Sequence, residues 1–213
     1  MRRGCLIPVI ILWLLAIAPG YVGWLKVKAY RTQTILASDA SEIQALLRSW
    51  ATKHGEHLPD SGLDSPATAN QVFRRLFQDG IATSETCFGG HDSPYVPDNH
   101  IGVAPDYAQA VARGENHWML VAGQKLPHRP GSAPIPLFFE NALAPTWPPI
   151  WQETWLPNSN RGRTLDGKII VTYTDGSVHW VKLVKTPQGL TLPESAYPAE
   201  WKIHPPRILD VED

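Results

Sequence analysis

The sequence predicts an α+β protein: a long N-terminal helix, transmembrane in its first part and amphipathic in its second, packed on a small antiparallel β-sheet. Three observations carry that prediction. The uncharged run Gly4–Leu25 opens the chain, an apolar helical stripe follows, and a strand–Asp-Gly–strand pattern occupies 168–184. The 20 prolines among 213 residues exclude an all-helical bundle, because Pro lacks a backbone donor and breaks helix interiors. The length suits one domain with a sizeable core.

The first element is the run GCLIPVIILWLLAIAPGYVGWL, 22 residues without a charge. At about 1.5 Å per residue, a helix of that length crosses about 30 Å of hydrocarbon. Tyr21 and Trp24 fall at its far edge, where aromatic rings favour the interface. A cleaved secretory signal is the rival reading, with Arg2 and Arg3 as the basic end and Ala16-Ile17-Ala18 as the cleavage site. Pro19 would follow that cut and constrain the scissile peptide, so the uncleaved anchor is the expectation. Either reading exports the body. Cys5 lacks the preceding apolar residues of a lipoprotein signal.

The net charge of −1 hides two unlike parts. Arg2, Arg3, Lys26, Lys28 and Arg31 are the only charges up to residue 31, which leaves 14 basic against 20 acidic residues in 32–213. A basic tip joined to a mildly acidic body suits a membrane-associated end and an exported end. A body of that charge excludes a nucleic-acid-binding role, which needs a basic stripe. The expected division is a membrane anchor over 1–31, a head over 32–186, and a Pro-rich tail over 187–213.

Ile35, Leu36, Ala40, Ile43, Leu46, Leu47 and Trp50 form one helical stripe. Asp39 and Glu42 have the spacing of a capping box, so the helix either starts there or runs on from the anchor. Gly55 and Pro59 supply a stop. A second helix is expected at 66–79, with Ser65 as N-cap, Pro66 in the first turn, Val72, Phe73, Leu76 and Phe77 as its apolar face, and Gly80 beyond its end. Residues 81–115, rich in Gly, Pro, Asp and Asn, read as loops with room for one short strand. Strands are expected at 117–123 and 136–140. The hairpin at 168–184 turns on Asp175-Gly176 as a two-residue loop, placing Ile169, Val171 and Tyr173 on one face with Val178, Trp180 and Lys182. Trp201 and Ile203 are expected to lay the tail on the body.

This order of elements resembles that of type IV pilins and type II secretion pseudopilins, and more closely a group of uncharacterised bacterial pseudopilin-like proteins. Three stretches carry the likeness. They are Ile43–Ala51 leading into Lys53–Asp60, the run Gly114–Gly123, and Val171–Val181 with its Asp-Gly turn. The likeness covers roughly residues 5–184. The sequence departs from the family at its start. Gly4 is followed by Cys5-Leu6-Ile7-Pro8-Val9, without the Phe, Thr and Glu of the prepilin peptidase motif. The resemblance implies a single-pass inner-membrane protein with its tip in the cytoplasm and its head in the periplasm.

No Gly-x-Ser-x-Gly, phosphate-loop, zincin or dinucleotide motif is present. Accordingly no catalytic, cofactor-binding or metal-ligating residue is assigned, and no cofactor is expected. His54-x-x-His57 has ligand spacing, but Gly55 between them favours a helix end in solvent. His91-Asp92 and Asp98-Asn99-His100 share a loop that could gather a cation, and Asp92, Asp98, Asn99 and Asp106 could supply oxygen ligands to calcium. A hydrolase or metalloenzyme built from His91, Asp92, Asp98 and His100 is a further reading. Cys87 reads as a buried apolar residue. Asp166-Gly167 and Asp175-Gly176 read as turns, and Arg161-Gly162-Arg163 as a solvated loop. Trp118, Trp147, Trp151, Trp155, Trp180 and Trp201 read first as packing residues and second as a sugar-stacking platform. The functional expectation is a non-catalytic, membrane-anchored envelope protein, with other envelope or pseudopilin-like proteins as partners. The alternative is a tethered carbohydrate-binding module.

Overall fold

A computed structural model describes residues 6–63, 67–126, 133–153 and 161–213, and of residues 6–23, 25 and 26 it describes the backbone alone. The side chains of the uncharged run Gly4–Leu25, Trp24 excepted, therefore lie outside the described residues. Among the described residues no helix is long and apolar enough to cross a membrane.

Helix α1 (Leu6–Lys53) runs without a break through Asp39. The Asp39–Glu42 pair is thus mid-helix and caps nothing. Tertiary burial of the stripe on both sides of it sustains the helix: Leu36, Ala40, Ile43, Leu47 and Trp50 are all buried. The helix ends as expected. Gly55 at φ +62° turns the chain, and the Glu56 N–H donates to the Ala51 carbonyl at 2.8 Å.

Helix α2 (Ala69–Gln78) starts later than the sequence suggests. Its cap is Thr68, whose hydroxyl accepts from the Gln71 N–H at 3.1 Å while the Gln71 side chain accepts from the Thr68 N–H at 3.2 Å. Ser65 and Pro66 lie outside the described residues. The expected face is confirmed, with Val72, Phe73, Leu76 and Phe77 buried. A single 3₁₀ turn, Thr86–Phe88, interrupts the loops that follow.

Among the described residues, eight strands form two antiparallel sheets. They are β1 (Trp118–Val121), β2 (Pro136–Glu140), β3 (Ile150–Trp151), β4 (Lys168–Tyr173), β5 (Val178–Lys182), β6 (Val184–Thr186), β7 (Gly189–Thr191) and β8 (Ile208–Leu209). The main sheet has the order β5-β4-β2-β1-β8, and the small one β3-β7-β6. Strand alternation sends Trp118, Leu120, Phe138 and Ile170 towards α1 and α2. It sends Met119, Val121, Phe139, Ile169 and Val171 into a second core with Trp151, Leu183, Leu192 and Trp201. Both faces of the main sheet are thus covered.

Two expectations are corrected. The hairpin loop has three residues, Thr174–Gly176, closed by the Tyr173 N–H donating to the Ser177 carbonyl at 3.0 Å, with Gly176 at φ +102°. Val178 therefore pairs with Thr172, Trp180 with Ile170, and Lys182 with Lys168. One residue of slip exchanges faces, so Trp180 shares the α1 face with Ile170, not the Val171 face. Trp180 meets Tyr30 of α1 edge-on at 5.9 Å.

The Pro-rich segment 187–213 supplies β7 to the small sheet and β8 to the edge of the main one. Trp201 is buried as expected, whereas Ile203 is 77% exposed. The acidic end is tied down. The Asp210 carbonyl accepts from the Ala69 N–H at 2.7 Å, the Glu212 carboxylate accepts from the Thr68 hydroxyl at 2.6 Å, and the Tyr95 hydroxyl donates to Asp213 at 2.5 Å.

Candidate functional site

The loops between α2 and β1 bring three carboxylates together. Glu85 precedes the 3₁₀ turn, Asp98 lies in the following loop, and Glu115 sits just before β1. One carboxylate oxygen of each lies within 4.8 Å of the others. Packing explains the convergence. Phe88 is inserted against Phe73 at 5.0 Å and Phe77 at 5.8 Å between ring centres, which draws the turn and Glu85 into the interior. The His117 N–H donates to the Phe88 carbonyl at 2.8 Å, which lays Glu115 alongside.

Glu85 is 0% exposed. Its Oε1 accepts from the Val111 N–H, and its Oε2 has no hydrogen-bond partner. Glu115 accepts from the Asp98 N–H at 3.2 Å and the Ala112 N–H at 2.6 Å, and Asp98 accepts from the His100 N–H at 2.7 Å. Among the described ion pairs none involves these three residues. Burial pushes the Glu85 carboxyl up, and the charges of Glu115 and Asp98 push the same way against the Val111 and Asn99 N–H groups. Val111 has φ +50°, a costly conformation for a β-branched residue. Asn70 holds that turn by donating to the Val111 and Ala112 carbonyls at 3.0 Å each.

A second polar cluster surrounds His117. Its Nε2 lies 3.3 Å from Glu140 Oε2, and its Nδ1 lies 2.9 Å from the Asn141 amide and 3.0 Å from the Ser93 hydroxyl. Serine, histidine and glutamate in this order hold the parts of a nucleophilic relay. The Asn141 amide nitrogen already occupies the Nδ1 edge that would take the serine proton, and it also donates to the His117 carbonyl at 3.2 Å. Gly90 also lies over the ring, so close that a Cβ there would stand 2.7 Å from His117 Cγ. Glu140 meanwhile accepts from the Ile170 N–H at 2.6 Å. The cluster joins the ends of β1 and β2 to β4 and to the loop at 90–95.

The loop residues singled out in the sequence part company. Asp98 enters the carboxylate group. Asn99 turns its side-chain oxygen to the Glu85 N–H at 3.1 Å and the Ser84 hydroxyl at 3.2 Å. Asp92 instead reaches α1, 3.0 Å from the Thr32 hydroxyl and 3.3 Å from Lys28 Nζ. Partial burial opposes its ionisation, but Thr32, Lys28 and His91 together hold its carboxyl below the ordinary range. Asp106 lends only its carbonyl, to Gln78 at 2.9 Å. His91, Asp92, Asp98 and His100 thus form no joint site among the described contacts. His54 stacks on Trp50 at 4.0 Å and lies 3.1 Å from Asp79, while His57 is exposed and its backbone bridges to Lys125. Glu85 and Glu115 escaped sequence reading, because neither lies in a motif and 30 positions separate them.

Cys87 is buried, and burial, followed by Glu42 and Asp39, pushes its thiol far up, which leaves it neutral and unreactive. Arg161 is not simply solvated, since it pairs with Asp210 and, at 3.2 Å, with Asp213. Trp118 and Trp151 are buried, donating to the Cys87 and Asn141 carbonyls at 3.1 and 2.9 Å. Trp147 meets Tyr197 and Trp201 edge-to-face at 4.9 and 4.8 Å, so these rings share no flat surface. Trp155 lies outside the described residues. No family model, no curated protein and no solved structure matches this chain.

Proposed function

We propose that this chain is a non-catalytic, membrane-anchored protein of the bacterial cell envelope, built on a pseudopilin-like plan. Its head stands on the periplasmic side of the inner membrane and contacts other envelope proteins, those of a type II secretion or type IV pilus-like apparatus. The observation that carries the reading is the continuity of α1 from Leu6 to Lys53. Its last part is built into the head through Leu36, Ala40, Ile43 and Leu47. Its earlier part coincides with the uncharged sequence run ending at Leu25. Between the two, Trp24, Val27 and Tyr30 are exposed beside exposed Lys28 and Arg31. Aromatic and cationic side chains of that kind suit the level of lipid headgroups.

The non-catalytic part of the reading rests on how the titratable groups are used. His117, Glu140 and Cys87 are all buried in bonds or packing that fix the sheet and loops. Fractionation tests the anchoring. In a Gram-negative host the full chain should stay in the membrane pellet through alkaline carbonate extraction, and a chain lacking residues 1–31 should be released. Release of the full chain would overturn the reading.

A further inference from the structure

We propose that Glu85, Asp98 and Glu115 form a divalent-cation site whose occupant is Ca²⁺, closing the 85–115 loops onto the core. Two separate observations support it. The first is the convergence of three carboxylates within 4.8 Å, with no cation paired to any of them among the described ion pairs. The second is Glu85 Oε2, a charged-group oxygen wholly inside the protein and without a partner. A buried acceptor left unmade costs about 1–3 kcal/mol, more when charged, so a bound cation supplies what the fold omits.

The donor set selects the metal. All three side chains offer oxygen, with no His or Cys in the group, which favours a hard cation over zinc or copper. Calcium binds oxygen at about 2.3–2.6 Å and accepts irregular geometry, so ligands up to about 5 Å apart can share one ion. Magnesium needs about 2.0–2.1 Å in a near-ideal octahedron, which this spread of ligands fits less well. The protein bonds leave room for coordination. Glu85 uses only Oε1, Asp98 receives its bond on Oδ1, and each Glu115 oxygen accepts a single N–H although it has two lone pairs. Asp98 is exposed, which gives the ion an entry path and the waters to complete its shell. The inference is independent of the anchoring reading, since it concerns the head alone.

The test uses the full chain in detergent, stripped with EDTA and dialysed. Titration calorimetry with CaCl₂ should give one site per chain, and 1 mM Ca²⁺ should raise the melting temperature followed by Trp fluorescence. Magnesium at 1 mM should raise it much less. Glu85→Gln keeps the shape and should abolish both the heat and the thermal shift. Asp98→Asn, at the exposed ligand, should weaken binding at least tenfold, and it serves if Glu85→Gln fails to fold. No calcium heat from the wild-type chain would overturn the proposal, as it would mean that Glu85 is simply held protonated. An equal response to magnesium, or an undiminished calcium response in Asp98→Asn, would overturn it as well.

Discussion

The side-chain amide of Gln44 donates to the Tyr173 carbonyl at 2.6 Å, a buried bond across 129 positions that joins α1 to the end of β4. One helical turn further on, the Arg48 guanidinium lies against Gly176 in the hairpin loop. Nearer the start of α1, Gln33 donates to the Leu165 carbonyl at 3.1 Å. The long helix is therefore fixed to the sheet by polar bonds at defined heights as well as by its apolar stripe. Apolar packing alone tolerates sliding, whereas a buried hydrogen bond is lost if the helix shifts. A force or tilt applied along α1 would reach the sheet through these contacts.

Gln44→Leu removes one of two donors to the Tyr173 carbonyl, which keeps the Gly176 N–H at 3.0 Å. The expected loss is about 0.5–1.5 kcal/mol in urea unfolding of the purified protein. Ser49→Ala, at an exposed position of the same helix, should change stability by less than about 0.5 kcal/mol.

Gly176→Ala meets two obstacles. The residue has φ +102°, and a Cβ there would strike the Arg48 guanidinium. The conformational part should cost about 1–2 kcal/mol. The steric part is relieved if Arg48 swings away, being the end of a flexible side chain. A double-mutant cycle with Arg48→Ala separates them, and the Gly176→Ala cost should be smaller in the Arg48→Ala background without vanishing.

Asp39 gives the head a pH dependence. Burial, with Glu42 one turn along, pushes its carboxyl up from 3.8 to about 6. The folded state then holds this proton more tightly than the unfolded state. The stability it contributes is complete below about pH 4 and is lost as pH rises through 6. Asp39→Asn should therefore raise the melting temperature relative to wild type at pH 7 and leave it nearly unchanged at pH 4. A wild-type-like response at pH 7 would mean that the carboxyl is better solvated than its surroundings indicate.

Phe88 is the wedge that brings Glu85 inside. Phe88→Ala should cost about 3–5 kcal/mol, the usual range for emptying a buried aromatic site. Because Glu85 depends on that turn for its position, the same variant should weaken calcium binding well beyond an equally destabilising change elsewhere. Leu192→Ala, in the core on the far face of the sheet, is the comparison, and it should leave calcium affinity near wild type.

Much of the fold was legible where one face of an element is buried and the other wet. The apolar stripe of α1 and the face of α2 fall into that class, whereas β1, β2 and β4, buried on both faces, were legible as short apolar runs bounded by turn residues. The hairpin register was not legible, because Asp175-Gly176 suits both two- and three-residue loops, and the choice rests on where Tyr173 and Ser177 can pair. Strands β7 and β8 were hidden in the Pro-rich end, since two or three residues are too few for a period to appear. The carboxylate group was half visible. Asp98 stood out in a loop of oxygen donors, but only the insertion of Phe88 between Phe73 and Phe77 makes Glu85 an interior residue.

A periplasmic head on a membrane-held helix makes a sharp demand on protease accessibility. In spheroplasts of a host expressing the full chain, externally added protease should digest the head, while a cytoplasmic marker stays intact and an N-terminal tag remains in the membrane fraction. A head protected until the membrane is permeabilised would contradict the claim, as would a tag recovered in the soluble fraction.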